Sequence, residues 1–577
     1  MKLSWSIWGL ALAAAPSVAL PAGEKQEKRA AGPVSVTLPG GAGTVVGASL
    51  DGIDSFSGIP YAEPPVGQLR LRPPKRLESS VGDAFDASGL APACPQMFIS
   101  NEAEGVLADA LKTLLDLPFL AVLEGQEDCL TVNVQRPAGT AADAKLPVLF
   151  WIFGGGFELG GTNMYDARSL LDFASSQDQG FVFVAVNYRV AGFGFLPGKE
   201  VAADGAANLG LLDQRMGLQW VADNIASFGG DPDKVTIWGE SAGSISVFDQ
   251  MALYGGDADY NGKPLFRGAI MNSGSIVPAD PVDCPKGQAV YDQVVDRAGC
   301  SGSDDTLSCL RDADYETFLA AVNSVPGILG YSSVALSYLP RPDGSVLPES
   351  PDVLATSGRY RAVPMIIGDQ EDEGTLFALF QPNITTTDEL VGYLSDLFFH
   401  SATRDELTAL ADTYEPFLTE GSPFRTGVLN EWYPGYKRLA AVLGDLVFTL
   451  TRRVFLSAAL AANPDVPSWS YLASYDYGTP VMGTFHGSDL LQVFYGQFPN
   501  YAMRSFRTYY LNFLHALDPN EGVKESEDDG EYPAWPQWGE GRELMWWDGP
   551  DGSELLKDDF RDDSAKWIAD HVEVLYI

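Results

Sequence analysis

With 577 residues, 46% of them hydrophobic, the chain is long enough for two or three ordinary domains or for one large one with a substantial core. Asp and Glu number 77 against 37 Lys and Arg, a net charge of −40 at pH 7. A surface this acidic is repelled by nucleic acid and by anionic membranes, which excludes both as partners, and it suits a secreted protein kept in solution by its own charge.

The N-terminus reads as an export signal. Lys2 precedes an apolar run over residues 3–15, and the small-x-small sequence "SVA" ends at Ala19. The run is too short to span a bilayer, so residues 1–19 are expected to be a signal peptide. Residues 20–29, "LPAGEKQEKR", end at the dibasic pair Lys28-Arg29 and form a candidate propeptide, with an uncut tail as the alternative. No second long apolar run follows, which speaks against stable membrane insertion. From residue 34 onward there is no Pro- or Ser-rich linker and no tandem repeat, so residues 30–577 are expected to fold as a single domain.

Export permits disulfides, and the chain has five cysteines. Cys94 and Cys129 could close a large loop and Cys300 and Cys309 a small one, which leaves Cys284 odd. Between Cys94 and Cys129, Val106, Leu107, Ala110, Leu111, Leu114 and Leu115 mark one helical face and Asp109, Lys112, Thr113 and Asp116 the other. Met97, Phe98, Ile99, Phe119 and Leu120 are apolar as well. A tethered loop this apolar reads either as a lid or as a surface helix packed on the core. Asn383, in "NIT", is a glycosylation sequon.

The runs "LPVLFWIF" (146–153), "FVFVAVNY" (181–188), "KVTIWG" (234–239), "FRGAIMNSG" (266–274) and "VPMIIG" (363–368) are β-branched or aromatic without clean alternation, as strands covered on both faces are. "LLDQRMGLQWVADNIASF" (211–228) has helical spacing. Strand alternating with helix predicts an α/β fold.

Ser241 lies between the strand 234–239 and a helix read from Ile245 onward, with Gly239 and Gly243 on either side. A lone G-x-S-x-G is a weak signal, but a strand-to-helix turn is where a nucleophile elbow belongs. The tight turn lifts the hydroxyl out of the sheet, and the helix N-terminus favours negative charge beside it. A serine needs a base, and the chain has four histidines. His400 and His515 end helical patterns and His571 sits in the tail, whereas His486 lies in the glycine-flanked loop "GTPVMGTFHGSDL" after the strand-like "SWSYLASY". It is the candidate base. The acid should come between the two, after a strand, and "VPMIIGDQEDEGT" offers Asp369, Glu371, Asp372 and Glu373; spacing does not choose among them. "WIFGGGFELGG" places Gly154, Gly155 and Gly156 after a strand, where backbone N–H groups can meet an oxyanion, with Ala242 as a further donor.

These residues resemble a known family. "FGGDPDKVTIWGESAG" (228–243) and "EDCLTVNVQRP" (127–137) look like the signatures of type-B carboxylesterases and lipases. "GIPYAEPPVGQLRLRPP" (58–74), "LSYLPRPDG" (336–344), "GDQEDEGT" (368–375), "GTFHGSD" (483–489) and "WPQW" (535–538) resemble Candida rugosa-type fungal lipases and sterol esterases. The resemblance implies an α/β-hydrolase fold, with a central mixed, mostly parallel sheet flanked by helices. It implies Ser241 as nucleophile, Glu373 as acid and His486 as base, with oxyanion donors at Gly155, Gly156 and Ala242. It further implies disulfides Cys94–Cys129 and Cys300–Cys309, a lid over residues 94–129, and no cofactor or metal. The implied activity is a secreted sterol esterase or lipase acting on long-chain esters at oil–water or micelle interfaces, where an exposed lid face could also drive homodimers or aggregates. An esterase for short soluble esters and a non-catalytic cholinesterase-like binding protein are the competing readings. Phe153 departs from the many lipases that carry histidine before the glycines, which leaves backbone donors undisturbed.

Overall fold

Apolar runs persist in this sequence because the strands they form are covered on both sides. Residues 147–152 and 182–186 are all buried. The structure, a computed structural model, describes residues 32–98, 125–497, 499–522 and 532–577. The expected signal peptide and propeptide, and residues 99–124 of the expected lid, lie outside the described residues.

The strands are β1 (Gly32–Leu38), β2 (Gly43–Leu50), β3 (Ile53–Pro60), β4 (Phe85–Asp86), β5 (Thr131–Pro137), β6 (Leu146–Ile152), β7 (Val182–Val186) and β8 (Gly230–Glu240), then β9 (Asp259–Tyr260), β10 (Lys263–Pro264), β11 (Gly268–Asn272), β12 (Met365–Gln370), β13 (Ser468–Ala473), β14 (Glu543–Gly549) and β15 (Gly552–Lys557). Among the described residues they form a mixed sheet in the order β1-β2-β3-β5-β7-β6-β8-β11-β12-β13-β14-β15, with β4 beside β2, and a separate ribbon of β9 and β10. Every pairing from β7 through β14 is parallel, and antiparallel strands extend the sheet at both ends.

Helices cover both faces. Along β8 the side chains alternate: Gly239 faces the helix Ala242–Ala252, where an added Cβ would lie 2.2 Å from Gly243 O. Trp238 points the other way, onto Tyr510 of the helix Tyr501–Ala516 and onto Trp151, whose ring lies 4.5 Å from its own. This layering is that of an α/β hydrolase.

The carboxyl ends of the central strands run level. Ile152 pairs with Gly239, Glu240 with Asn272, Asn272 with Gly368, and Gln370 with Ala473. The residues that follow those pairs therefore emerge along one edge, where open α/β sheets bind their ligands.

A buried ion cluster fastens that edge from below. Arg452 Nε donates to Asp369 Oδ2 at 2.8 Å, and its Nη1 donates to Ser470 Oγ and Asp558 Oδ2 at 2.7 and 2.9 Å. Arg453 Nε reaches Asp558 at 3.0 Å. Disulfides join Cys94 to Cys129 and Cys300 to Cys309, and Cys284 is a buried free thiol whose Sγ accepts from Gly287 N.

Candidate active site

The opening of the site is set by backbone, not by side chains. Ser241 has φ 57° and ψ −127°, a conformation that costs a non-glycine residue energy and is kept only where its surroundings enforce it. They do: Ser241 N donates to Asn272 O at 2.9 Å, and Ser241 O already accepts from Ile245 N. The helix starts at Ala242, three residues before the apolar pattern announces it. At Gly243 a Cβ would lie 2.0 Å from Ile152 O, so only glycine lets the helix sit this close to β6.

The candidate base comes from the loop after β13. His486 Nδ1 lies 2.5 Å from Glu373 Oε2, and Glu373 Oε1 accepts from Gln370 N at 2.7 Å. His486 Nε2 lies 3.3 Å from Glu240 Oε1 and makes no hydrogen bond to a described residue, so a Ser241–His486 bond is not closed here. Such bonds commonly tighten only in the substrate complex. Burial alone would lower His486, but the Glu373 carboxylate, with Glu240 behind it, outweighs burial and raises it to about 9. Glu240 is itself pushed up to about 8, chiefly by burial.

The structure separates the four acids that spacing leaves equivalent. Asp369 pairs with Arg452 inside the sheet, and Glu371 pairs with Arg425 at 2.7 and 2.6 Å. Asp372 accepts from Ser422 Oγ, Phe424 N and Thr484 N, which ties the loop around 422 to the His486 loop. Only Glu373 meets the imidazole. The other histidines go elsewhere: His400 is exposed, His515 bonds Gln179 O from the last turn of its helix, and His571 stacks on Trp567.

Gly155 and Gly156 take φ 108° and 64°, which turns the loop after β6 toward Ser241. A Cβ on Gly155 would lie 2.5 Å from Leu159 O. The N–H of Ala242, at the first helical position, has no partner within its helix. Phe153 is packed against Tyr188, whose hydroxyl donates to Phe153 O and anchors the start of the glycine loop. In front of Ser241 opens a narrow cavity of about 30 Å³, walled by apolar groups such as Ile245, Leu336, Val447, Phe377 and Phe448. Phe377 and Phe448 also touch the His486 ring, at 5.0 and 4.6 Å between centroids.

A model of the carboxylesterase family matches residues 33–546. The chain belongs to the carboxylesterase family. This carboxylesterase is 65% identical over 558 residues to the secreted triacylglycerol lipase LIP1 of Gibberella zeae, covering 96% of this chain and 93% of that one. It is 42% identical over 575 residues to lipase 2 of Diutina rugosa, covering 98% of each. Among solved structures, EstA of Aspergillus niger superposes with a TM-score of 0.76 at 27% identity, over 93% of this chain and 99% of that one. The motifs that pointed to the type-B carboxylesterases and lipases identify the family, and the carboxylesterase has that family's α/β-hydrolase fold.

Three groups of the carboxylesterase site escape a reading from motifs alone. Glu240 lies inside the elbow sequence itself, and its carboxylate faces the imidazole. Asp489, in "HGSD", and Asn272, at the end of β11, support the site from behind. Asn383 stands on an exposed turn, its Nδ2 donating to the Tyr331 hydroxyl.

Proposed function

We propose that this carboxylesterase is a secreted lipase that cleaves long-chain fatty acid esters of glycerol, and of sterols, by acyl transfer through Ser241. The observation that carries the reading is the Glu373–His486 pair at the carboxyl edge of the sheet, beside a strained serine that opens into an apolar cavity. His486 takes the proton of Ser241 as the hydroxyl oxygen bonds to the ester carbonyl carbon. Glu373 holds Nδ1 and stabilises the imidazolium. The N–H groups of Gly155, Gly156 and Ala242 hold the oxyanion, each worth roughly 3 kcal/mol in the transition state. The bond to the alcohol breaks, His486 Nε2 gives its proton to the leaving oxygen, and water then releases the fatty acid by the same route.

The apolar walls favour acyl chains over polar ones, because each buried methylene contributes about 0.8 kcal/mol. The export signal read in residues 1–19, and relatives named as secreted lipases, support an extracellular site of action on emulsified lipid. The test is hydrolysis of triolein and cholesteryl oleate emulsions by wild type and Ser241→Ala. Wild type should cleave long-chain esters, and the variant should lose turnover while melting as wild type does. Substantial turnover by the variant, or a strong wild-type preference for short soluble esters, would overturn the reading.

A further inference from the structure

The cavity in front of Ser241 has one feature that simple ester hydrolysis does not use. Its described lining residues are apolar or glycine with two exceptions, Ser241 and Asp249. Both belong to one structural element. Ser241 caps the helix Ala242–Ala252, and Ala242, Ile245 and Asp249 follow at spacings of three and four, which puts them on one helical face toward the cavity. Eight residues at 1.5 Å of rise place Asp249 about 12 Å beyond the nucleophile along the helix. That depth corresponds to the middle of a long acyl chain.

Asp249 is fully buried, and among the described residues neither carboxyl oxygen has a hydrogen-bond partner. Among the described residues no cation stands against it; burial pushes the group well above the usual carboxylate range. Burial thus favours the neutral form of the group, which has one O–H to donate and a carbonyl oxygen to accept. A buried polar group without a partner costs stability, and an apolar side chain of similar shape would serve a plain hydrocarbon tunnel better. A hydroxyl both donates and accepts, so it matches what a neutral carboxyl offers.

We propose that Asp249 is a polar anchor within the acyl cavity, which selects fatty acyl chains bearing a hydroxyl group part-way along their length. The assignment rests on the acyl-transfer reading above and names the substrate class of that same site. Asp249 is a specificity determinant: it touches the acyl chain, not the reacting atoms.

The experiment compares wild type, Asp249→Leu and Asp249→Asn on esters of stearate and of a series of hydroxystearates with the hydroxyl moved along the chain. Folding of each variant is checked by thermal melting. Wild type should show the highest kcat/KM for one mid-chain isomer. Asp249→Leu should lower the ratio of that isomer to stearate about tenfold, and Asp249→Asn, which keeps a donor and an acceptor, should retain most of it. An equal ratio in wild type and Asp249→Leu overturns the assignment. Should Asp249→Leu not fold, the wild-type series decides: a flat dependence on hydroxyl position overturns the anchor. Wild-type turnover of butyrate esters, too short to reach Asp249, keeps the two readings apart. Activity on butyrate and stearate with no hydroxyl effect sinks the anchor alone, whereas inactivity on every ester sinks the acyl-transfer reading with it.

Discussion

Asn272 Nδ2 donates to Asp489 Oδ2 at 2.5 Å, and this bond joins the strand behind Ser241 to the segment that follows His486. Asn272 Oδ1 is occupied in turn by Trp238 Nε1 and the Tyr510 hydroxyl, both at 3.0 Å, while its backbone oxygen holds Ser241 N. Replacing Asn272 with alanine leaves three buried polar groups without their partner. Each such group costs about 1–3 kcal/mol, so the variant should lose roughly 3 kcal/mol or more of stability, read from urea or thermal melts. A loss under about 0.5 kcal/mol would show that these hydrogen bonds do not hold the node together.

The geometry of the acidic loop makes a sharp contrast between neighbours. Glu373→Gln removes the charge that faces the imidazolium and should lower kcat by about 10⁴-fold. Glu371→Gln breaks only the partly exposed pair with Arg425, which contributes about 1 kcal/mol or less to stability. Assayed side by side on a soluble ester, the two variants should differ by orders of magnitude; equal losses would mean that the acid has been assigned to the wrong carboxylate.

Glu240, after Glu373, contributes to the pH dependence. His486 must be unprotonated to take a proton, and its value, raised to about 9, puts the acid limb of kcat/KM on the alkaline side of an ordinary histidine. Glu240→Gln removes a carboxylate 3.3 Å from Nε2, which lowers the imidazole and moves that limb to lower pH. Since Glu240 itself titrates near 8, its charge is present mainly above that pH, and the difference between the profiles should be largest there. A limb that stays put, or moves up, would remove Glu240 from the electrostatics of the base.

Arg452→Ala would leave Asp369 buried without its counter-charge and Asp558 with Arg453 alone, at a cost of about 3–5 kcal/mol. Burial pushes Asp558 up, but Arg452 and Arg453 outweigh it and hold it at about 2. A depressed carboxylate contributes stability that is fully present above its unfolded value, about 4, and is lost as pH falls through its folded value. The gap in stability between wild type and Arg452→Ala should therefore be widest above pH 4 and close toward pH 2. Denaturant melts across that range measure it, and a gap independent of pH would contradict the ion-pair account.

What could be read in advance followed burial. β6, β7, β11, the later part of β8 and the earlier part of β12 overlap apolar runs because a strand buried on both faces is mostly apolar, and the polar residues it does hold, such as Asp369 and Asn272, are paired. β1 was not anticipated: its residues alternate between exposed and buried, and an edge strand of seven residues gives little contrast against a loop. The elbow was legible from Gly239, Ser241 and Gly243, since its cause is local. The acid was not legible from spacing, because Asp369, Glu371, Asp372 and Glu373 differ only in which distant residue each meets: Arg452, Arg425, Thr484 or His486. Resemblance supplied Glu373, and folding explains it. Asn272 and Asp249 left no mark in the sequence for the same reason, as each takes its meaning from what packs around it.

Glu373 and His486 stand 113 residues apart and meet only when β12 and β13 have paired. A nascent or partly folded chain consequently carries the hydroxyl without the machinery to use it. Such a polypeptide would cross the membranes of its own producer as a harmless passenger, and acquire its appetite for esters only on completing its sheet.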